Sequence, residues 1–388
     1  MPGPCRAAPH ADGTGDGMKT ELFKPESDGG EILFSLAAKL LREGDLVAFP
    51  TETVYGLGGN ALSREAAGKI FAAKGRPSDN PLIVHIAERD DLNALVCDIP
   101  EVAERLMAHF WPGALTLVFR KSPAVPDAVT AGLDTVAVRM PIHPVARALI
   151  RLAGVPVAAP SANRSGRPSP TTAEHVREDL DGRIPMIVDG GPCLVGMEST
   201  VLDVTVHPPA MLRPGGVTRE MLEAVIGSIT VDQDLSDSAP ADSTIIPKAP
   251  GMKYAHYAPK APMTLFTGLP GKTVARIVSE ALGRFAEGKR VGILCTDESF
   301  GRYDGLFTGR PGCGRVFPLS AGCRAKPATI AAGMFGTLRQ FDLLGVDVIL
   351  SEGFPETGVG HAIMNRLKKA AGGQVVDCGE KGRKEETE

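Results

Sequence analysis

Residues 45–86 decide the fold, and they read DLVAFPTETVYGLGGNALSREAAGKIFAAKGRPSDNPLIVHI. The stretch opens with a short apolar run that ends at a proline and leads to two threonines, Thr51 and Thr53. Glycines follow at residues 56, 58 and 59, where the missing Cβ lets the backbone approach a ligand closely. The stretch therefore predicts a strand, then a turn suited to binding, then a helix.

The KGRP segment at residues 74–77 places two cations one residue apart. Pro77 disfavours helical backbone at Arg76, so a helix that begins near Ser63 is expected to end near Lys74. On an extended chain, side chains two residues apart share a face. Lys74 and Arg76 therefore predict a positive clamp suited to phosphate. Taken alone, a KxR pair has a second interpretation, a solvated basic turn.

Composition excludes several classes of protein. The chain has 388 residues, a length that suggests two domains. Its 42 lysines and arginines stand against 46 aspartates and glutamates, and a net charge of −4 argues against binding nucleic acid by bulk electrostatics. The seven cysteines form no CxxC pair, which is typical of a reduced, cytoplasmic protein. No apolar run approaches about twenty residues, so we expect no membrane span.

The periodicity of apolar residues predicts two α/β domains. The first covers residues 28–231 and should contain a mixed sheet, because many connections between its strands lack a helix. One of its helices should begin with a capping box from Thr171 to Glu174. The second domain covers residues 263–380, where strands and helices alternate, and this pattern predicts a smaller, parallel-rich, Rossmann-like sheet.

Residues 232–262 join the two domains and contain five prolines, a composition typical of a semi-rigid linker. Two of the chain's four tyrosines, Tyr254 and Tyr257, lie in it together with His256. A passive spacer has no need of them, so we predict that the linker is also a lid over a binding site. A linker that simply packs against a domain surface is the alternative.

The two ends of the chain are predicted to be tails. Residues 1–20 lack the apolar core of a signal peptide and read as disordered. Met18 lies within this tail, so either Met1 or Met18 can be the first residue translated. Residues 381–388 form a charged tail.

Several short motifs occur in a fixed order along the chain. They are PTETVYGLG from residue 50, KGRPSDNPL from residue 74, SAN at 161–163, RPSPT at 167–171, EST at 198–200, RPG at 213–215 and PGMKYAHYAP at 250–259. In this order they resemble the YrdC-like family, and most closely its two-domain threonylcarbamoyl-AMP synthases. The resemblance covers residues 30–378, and the number and order of the motifs make it specific.

The resemblance implies a YrdC-like twisted mixed sheet with flanking helices, and an enzyme that is a nucleotidyltransferase. Its substrates would be L-threonine, bicarbonate and ATP, and its products threonylcarbamoyl-AMP and pyrophosphate. The adenylate would pass to a threonylcarbamoyl-transfer machinery that modifies tRNA in the cytoplasm, and direct contact with tRNA is left open. Mg²⁺ would accompany ATP, and no metal held by protein ligands is expected.

The same resemblance implies the site residues. Adenylate formation requires cations and hydrogen-bond donors around a triphosphate, and an amino-acid substrate requires a cation for its carboxylate. The expected ATP-binding residues are Lys74, Arg76, Asn80, Thr135, Ser161, Asn163, Ser169, Arg213 and Tyr257. The expected threonine-binding residues are Thr51, Thr53, His85, Arg139 and Ser199. Lys74 and Arg76 are also the expected catalytic residues.

For three of these residues, a purely structural role is the alternative to binding a substrate. Arg139 follows an apolar strand and could end it at the surface. His85 alternates with Val84 and Ile86, a pattern more typical of a hydrogen-bonded core histidine. Ser199 could simply begin a strand. Because no Ser-His-Asp or Cys-His set is evident, we expect catalysis by positioning and charge stabilisation.

Two other functions fit the same domain. One is an RNA-binding module, but the acidic total and an aromatic content of 5% argue against it. The other is a carbamoyl-transfer maturation enzyme, but such proteins usually carry paired CxxC zinc motifs and an acylphosphatase segment, which this sequence lacks. Pyrophosphate release that accepts threonine alone among amino acids would separate the three.

Overall fold

The computed structural model describes residues 19–232, 257–307 and 312–379. Tyr254, His256 and the 381–388 tail lie outside these ranges. The described residues form an eleven-stranded sheet and a five-stranded sheet, each in its own domain. No helix in these ranges combines the length and apolar character needed to cross a membrane.

The first sheet is mixed, as predicted, and runs in the order β1-β8-β2-β3-β7-β4-β6-β5-β9-β10-β11. Its strands are β1 (Glu21–Phe23), β2 (Val47–Phe49), β3 (Gly56–Asn60), β4 (Ile83–His85), β5 (Leu115–Arg120), β6 (Thr135–Arg139), β7 (Val157–Ala158), β8 (Met186–Val188), β9 (Thr200–Asp203), β10 (Ala210–Arg213) and β11 (Thr230–Val231). Strand β1 pairs in parallel with β8, so the sheet begins before residue 28. Thr20, inside the predicted tail, donates to the Ile184 carbonyl.

Helices cover both faces of this sheet. They are α1 (Gly30–Arg42), α2 (Arg64–Lys74), α3 (Glu101–Phe110), α4 (Asp127–Thr130), α5 (Pro144–Ala153), α6 (Ala173–Leu180) and α7 (Arg219–Ile226). Side chains alternate across a strand, so Val47 and Phe49 pack with α1 and α5. Ala48 points to the opposite face and belongs to the apolar cluster that also contains buried residues of α2 and α3. The central strands are therefore buried on both sides.

Helix α2 has the bounds that the sequence predicts. The Ser63 side chain accepts the Ala66 N–H at its start, and Gly75 ends it in the left-handed conformation with a φ of 61°. The backbone at Gly75 is thus not extended, which corrects the expected geometry of the KGRP segment. A second correction concerns α6, whose cap is Thr172 rather than Thr171, because Thr172 accepts the N–H of His175.

The second sheet is wholly parallel, with the order β14-β13-β15-β12-β16. Its elements are β12 (Met263–Thr267), α8 (Pro270–Ala286), β13 (Val291–Cys295), α9 (Asp297–Phe307), β14 (Val316–Ser320), α10 (Pro327–Leu344), β15 (Val348–Glu352), α11 (Val359–Ala370) and β16 (Val375–Asp377). Sequence periodicity missed α9, which contains two glycines, and β14, which contains a proline. Both residue types weaken the usual signals.

The second domain packs directly against the first. Val54 and Met197 of the first domain belong to the same apolar cluster as Phe335 and Met334 of α10. At Gly196, which has a φ of 71°, a Cβ atom would lie 2.4 Å from the Ala332 Cα. Only glycine fits such a close approach, so the sequence of the 194–197 loop is adapted to contact between the domains.

Candidate active site

A cleft of about 720 Å³, including its open mouth, lies where the first domain meets the end of the linker. The residues of the predicted site that line it are Thr51, Thr53, Lys74, Arg76, His85, Arg139, Ser161, Asn163, Ser199, Arg213 and Tyr257. They come from strands β4, β6 and β10, from the end of α2 and from the intervening turns. The fold thus gathers most of the expected ATP-binding and threonine-binding residues around one cavity.

Three predicted residues lie outside the lining. Thr135 is at the far end of β6 from Arg139, roughly 13 Å along the strand at about 3.3 Å per residue. The hydroxyl of Ser169 donates to Glu198 Oε1 at 2.5 Å, behind the cavity wall. The buried amide of Asn80 finds no hydrogen-bond partner for either atom within the described residues.

Lys74 is a buried cation at the base of the cleft. Its Nζ donates to the carbonyls of Ser161 and Asn163, each at 2.5 Å, and no carboxylate of the described chain lies within hydrogen-bond distance. Burial, together with the charge of Arg76, lowers the pKa of Lys74 well below its ordinary value. An anion in the cleft would relieve this penalty. The solvated-turn interpretation is therefore wrong, since only 2% of Lys74 is exposed.

Arg139 is held by an acid that sequence reasoning did not single out. Its Nη2 lies 2.5 Å from Glu52 Oε1, and its Nη1 donates to Thr53 Oγ1 at 2.8 Å. Arg139 and Glu52 are both buried, so Arg139 does not end its strand at the surface. The one signal for Glu52 was its place between the two threonines. A substrate carboxylate at Arg139 has to share or replace this partner.

His85 lines the cleft and is also a core histidine. Its Nδ1 lies 3.3 Å from the Ile83 carbonyl, and the ring is buried. Burial, followed by the charge of Arg139, lowers the pKa of His85 to about 3. The imidazole is therefore neutral at physiological pH and can offer a hydrogen bond without adding charge to the site.

This neutrality predicts a pH dependence. We expect the NMR ring-proton shifts of His85 to stay constant from pH 8 to pH 5, whereas in the urea-unfolded chain they should titrate near about 6.5. Because the folded pKa is depressed, the stabilising contribution is complete above the unfolded pKa and declines as pH falls toward about 3. The His85→Gln variant identifies the resonance. A folded-state midpoint near 6.5 would contradict the prediction.

Ser199 and Arg213 also line the cleft. Arg213 donates through Nε to the Ser199 carbonyl at 3.0 Å and through Nη2 to its hydroxyl at 3.1 Å. The Ser199 hydroxyl also lies 2.8 Å from Thr116 Oγ1. Burial lowers the pKa of Arg213 to about 10, which still leaves the guanidinium charged at neutral pH. Ser199 thus does more than begin a strand, because it orients a cation at the cavity.

Tyr257, the first linker residue of the described range that starts at 257, lines one side of the cleft. Its φ is 66°, a backbone conformation that is uncommon for a residue with a side chain. The next residue, Ala258, donates its N–H to the Gly166 carbonyl at 2.8 Å and fixes the linker on the cavity rim. The ring is buried, with its centroid 5.2 Å from that of Phe335 on α10. This position places the end of the linker at the cleft, and the lid itself stays a prediction.

Five basic side chains line one cleft in an α/β domain, and they are Lys74, Arg76, Arg139, Arg167 and Arg213. Within the described ranges, no group of three or more His, Cys, Asp or Glu side chains is arranged to hold a metal ion. Such a cleft is suited to an anionic nucleotide and to a substrate carboxylate. The fold and site therefore define an α/β protein with a basic cleft whose rim includes Tyr257, at the described end of the linker.

Comparison with known proteins shows which family within this class the chain resembles. The Sua5/YciO/YrdC family model, described as "Telomere recombination", matches residues 39–215, and the model described as "Threonylcarbamoyl-AMP synthase, C-terminal domain" matches residues 217–372. The threonylcarbamoyl-AMP synthase of Bacillus subtilis is 55% identical over 88% of this chain and 93% of its own length. That of Pyrococcus abyssi is 50% identical over 88% and 94%.

A solved structure agrees with both domains. Pyrococcus abyssi Sua5 in complex with L-threonine matches with a TM-score of 0.83 at 47% identity, over 92% of this chain and 99% of that chain. The chain belongs to the two-domain threonylcarbamoyl-AMP synthase family, as its motifs implied.

Proposed function

We propose that this protein converts L-threonine, bicarbonate and ATP to threonylcarbamoyl-AMP and pyrophosphate. Membership of the family supports the activity, and the threonine complex of the Pyrococcus abyssi protein supports the amino-acid substrate. The observation in this chain that carries the proposal is the convergence of five basic side chains on one cleft beside a neutral imidazole.

The cleft has two regions of different chemistry. Lys74 and Arg76 lie near the small polar residues Ser161 and Asn163, a set suited to phosphate oxygens. On the other side, Arg139 lies beside Thr53 and is suited to the threonine carboxylate. Ordering both substrates in one cavity brings the reacting atoms together and removes the entropy cost of the encounter.

The reaction then needs no protein nucleophile. Bicarbonate loses hydroxide to give CO₂, and the threonine amine attacks its carbon and loses a proton, so that a carbamate forms and the proton and hydroxide leave as water. A carbamate oxygen then attacks the α-phosphorus of ATP. The bond from the α-phosphorus to pyrophosphate breaks, and pyrophosphate leaves with the electron pair. Lys74 and Arg76 stabilise the negative charge that accumulates on the phosphate oxygens.

Mg²⁺ is proposed to enter with ATP, because the chemistry of the donors does not suit a metal held by the protein. Glu198, the carboxylate that lines the cleft, is engaged by Ser169 and Arg366. Glu52 is engaged by Arg139. Bound to the triphosphate, the ion would spread the phosphate charge, and the residues of this chain would supply the remaining donors.

The test is pyrophosphate release with each substrate omitted and with each amino acid offered in turn. We expect release only when threonine, bicarbonate and ATP are all present. Release that is unchanged without threonine or bicarbonate would overturn the proposal. RNA binding without turnover would favour the RNA-binding module, and a requirement for carbamoyl phosphate would favour the maturation enzyme.

We also propose a cytoplasmic enzyme whose product passes to a threonylcarbamoyl-transfer machinery acting on tRNA. The instability expected of a mixed carbamate–phosphate anhydride supports direct or rapid transfer. Co-purification of the transfer enzyme during turnover, compared with turnover without threonine, measures the association.

The lid makes a separate prediction. The Tyr257→Ala variant should raise ATP consumption per adenylate formed, because removing the ring admits water to a labile intermediate. Tyr257→Phe keeps the ring and its packing on Phe335 and is the matched control. Residues 232–262 should also become protected from protease only when ATP and threonine are both present. Equal proteolysis with and without ligands, together with normal Tyr257→Ala turnover, would show that the segment is only a tether.

A further inference from the structure

The second domain inserts two arginines into the first. Arg339 of α10 and Arg366 of α11 are each 1% exposed and are among the largest fully buried side chains of the described chain. Arg339 donates to Asp179 Oδ2 at 2.7 Å. Arg366 donates through Nε to Glu198 Oε2 at 2.9 Å. Each arginine thus pairs with a buried carboxylate across the domain interface.

The two ion pairs differ in what their carboxylates touch. Asp179 belongs to α6 and does not line the cleft, whereas Glu198 does. Glu198 is followed in sequence by Ser199, whose carbonyl and hydroxyl accept hydrogen bonds from Arg213. Arg366 therefore acts on a carboxylate of the cavity wall, next to the residue that orients one of the site's cations.

Arg366 also contacts the lid. Its guanidinium carbon lies 5.6 Å from the centroid of the Tyr257 ring, close enough for a cation–π interaction. Its Nη1 donates to Asn365 Oδ1 at 3.0 Å, and its Nη2 has no hydrogen-bond partner within the described residues. A buried ion pair with an unsatisfied donor is a poor source of stability compared with apolar packing. Stability alone does not explain this arginine.

The charges around Glu198 explain the presence of a buried arginine at position 366 better than stability does. Glu198 faces Arg213 from β10, Arg366 from α11 and Tyr257 from the linker, and Ser169 donates to its other oxygen. Burial opposes ionisation of Glu198, yet the charges of Arg366 and Arg213 bring its pKa below the ordinary value. Without Arg366, an undercompensated carboxylate would stand in the wall of a cavity that receives a triphosphate.

We propose that Arg366 is a positioning residue for adenylate formation: it holds and neutralises Glu198 and supports the Tyr257 ring, so that the second domain completes the nucleotide site. This inference rests on the proposed function. It also assigns the second domain a task in the reaction, although none of the described residues that line the cleft belongs to that domain.

The test compares Arg366→Met with Arg366→Lys and with Arg324→Met. Arg324 pairs with the buried Glu352 inside the second domain, so its loss leaves the same kind of unpaired carboxylate away from the cleft. We expect Arg366→Met to raise the KM for ATP about tenfold or more, with a smaller rise for Arg366→Lys and none for Arg324→Met. Titration with a non-hydrolysable ATP analogue should show the same order of affinities.

Two further readouts separate positioning from a structural role. Adding Glu198→Gln to Arg366→Met should recover part of the lost ATP affinity, because the double variant lacks the carboxylate charge that repels the triphosphate. The defect of Arg366→Met should also shrink as pH falls, because loss of the arginine raises the pKa of Glu198 and protonation then removes its charge. The melting temperatures of all variants show which of them are folded at the assay temperature.

Wild-type ATP affinity in Arg366→Met would overturn the inference. So would an equal loss in Arg324→Met with no recovery on adding Glu198→Gln, which would show that only stability was affected. Failure of the proposed function would give a different result, because the unaltered protein itself would then release no threonine-dependent pyrophosphate. The analogue titration still decides the role of Arg366 in that case.

Discussion

Replacing Lys74 with methionine is expected to lower kcat/KM for ATP by about 10- to 150-fold, equivalent to losing about 1.5–3 kcal/mol of charge-assisted interaction. Methionine keeps most of the buried volume of the side chain but cannot donate to Ser161 and Asn163. The turn that carries these residues would lose its anchor, and the phosphates would lose a cation. The measurement is pyrophosphate release at varied ATP and saturating threonine.

Lys69→Met is the matched control, because Lys69 lies on the same helix, is exposed and pairs only with Asp45 at the surface. An exposed pair of this kind contributes little to stability, so this variant should behave like the unaltered protein. Wild-type ATP kinetics in Lys74→Met would show that the buried lysine only supports the SAN turn. A comparable loss in Lys69→Met would point to a general effect on α2.

The Arg139→Lys variant should raise the KM for threonine by about 10- to 100-fold while the KM for ATP stays near normal. Lysine keeps the charge but cannot reach Glu52, Thr53 and the substrate carboxylate with a planar fork. Arg139 currently makes separate bonds to Glu52 and Thr53. The measurement is the dependence of pyrophosphate release on threonine and on ATP, each varied with the other saturating.

Arg151→Lys is the control for this exchange, since Arg151 pairs with Glu88 at the surface of α5. It should leave both KM values unchanged. If Arg139→Lys impairs ATP and threonine equally, and its melting temperature falls, then the variant has damaged the fold rather than the carboxylate contact.

Local patterns in the sequence were enough for most of the architecture. Ser63 and the glycine at 75 lie next to the helix that they delimit, so capping chemistry predicted α2 from a few neighbouring residues. Where two caps were adjacent, as at Thr171 and Thr172, the pattern chose the wrong one. The missed strand β14 and helix α9 have weak local signals, and packing against neighbouring elements stabilises them instead.

The candidate site was predicted as a set of residues but not as an arrangement. The order of the motifs identified the family and most of the residues that line the cleft. The sequence did not show which end of β6 meets the cleft, because a strand's direction relative to a cavity is a property of the assembled sheet. The role of Thr135 in binding ATP stays a prediction. The sequence also did not show that the Glu52 carboxylate forms an ion pair with the Arg139 guanidinium.

Sequence by itself therefore determined the class of fold, the family and the chemistry available to the site, since these depend on residue types and on neighbours a few positions apart. Tertiary structure alone decided which charges meet. Glu198 and Arg366 are 168 residues apart in the chain, and Asp179 and Arg339 are 160 apart. No local pattern encodes such pairs, because they form only when the packing of two complete domains brings their surfaces together and removes the water between them.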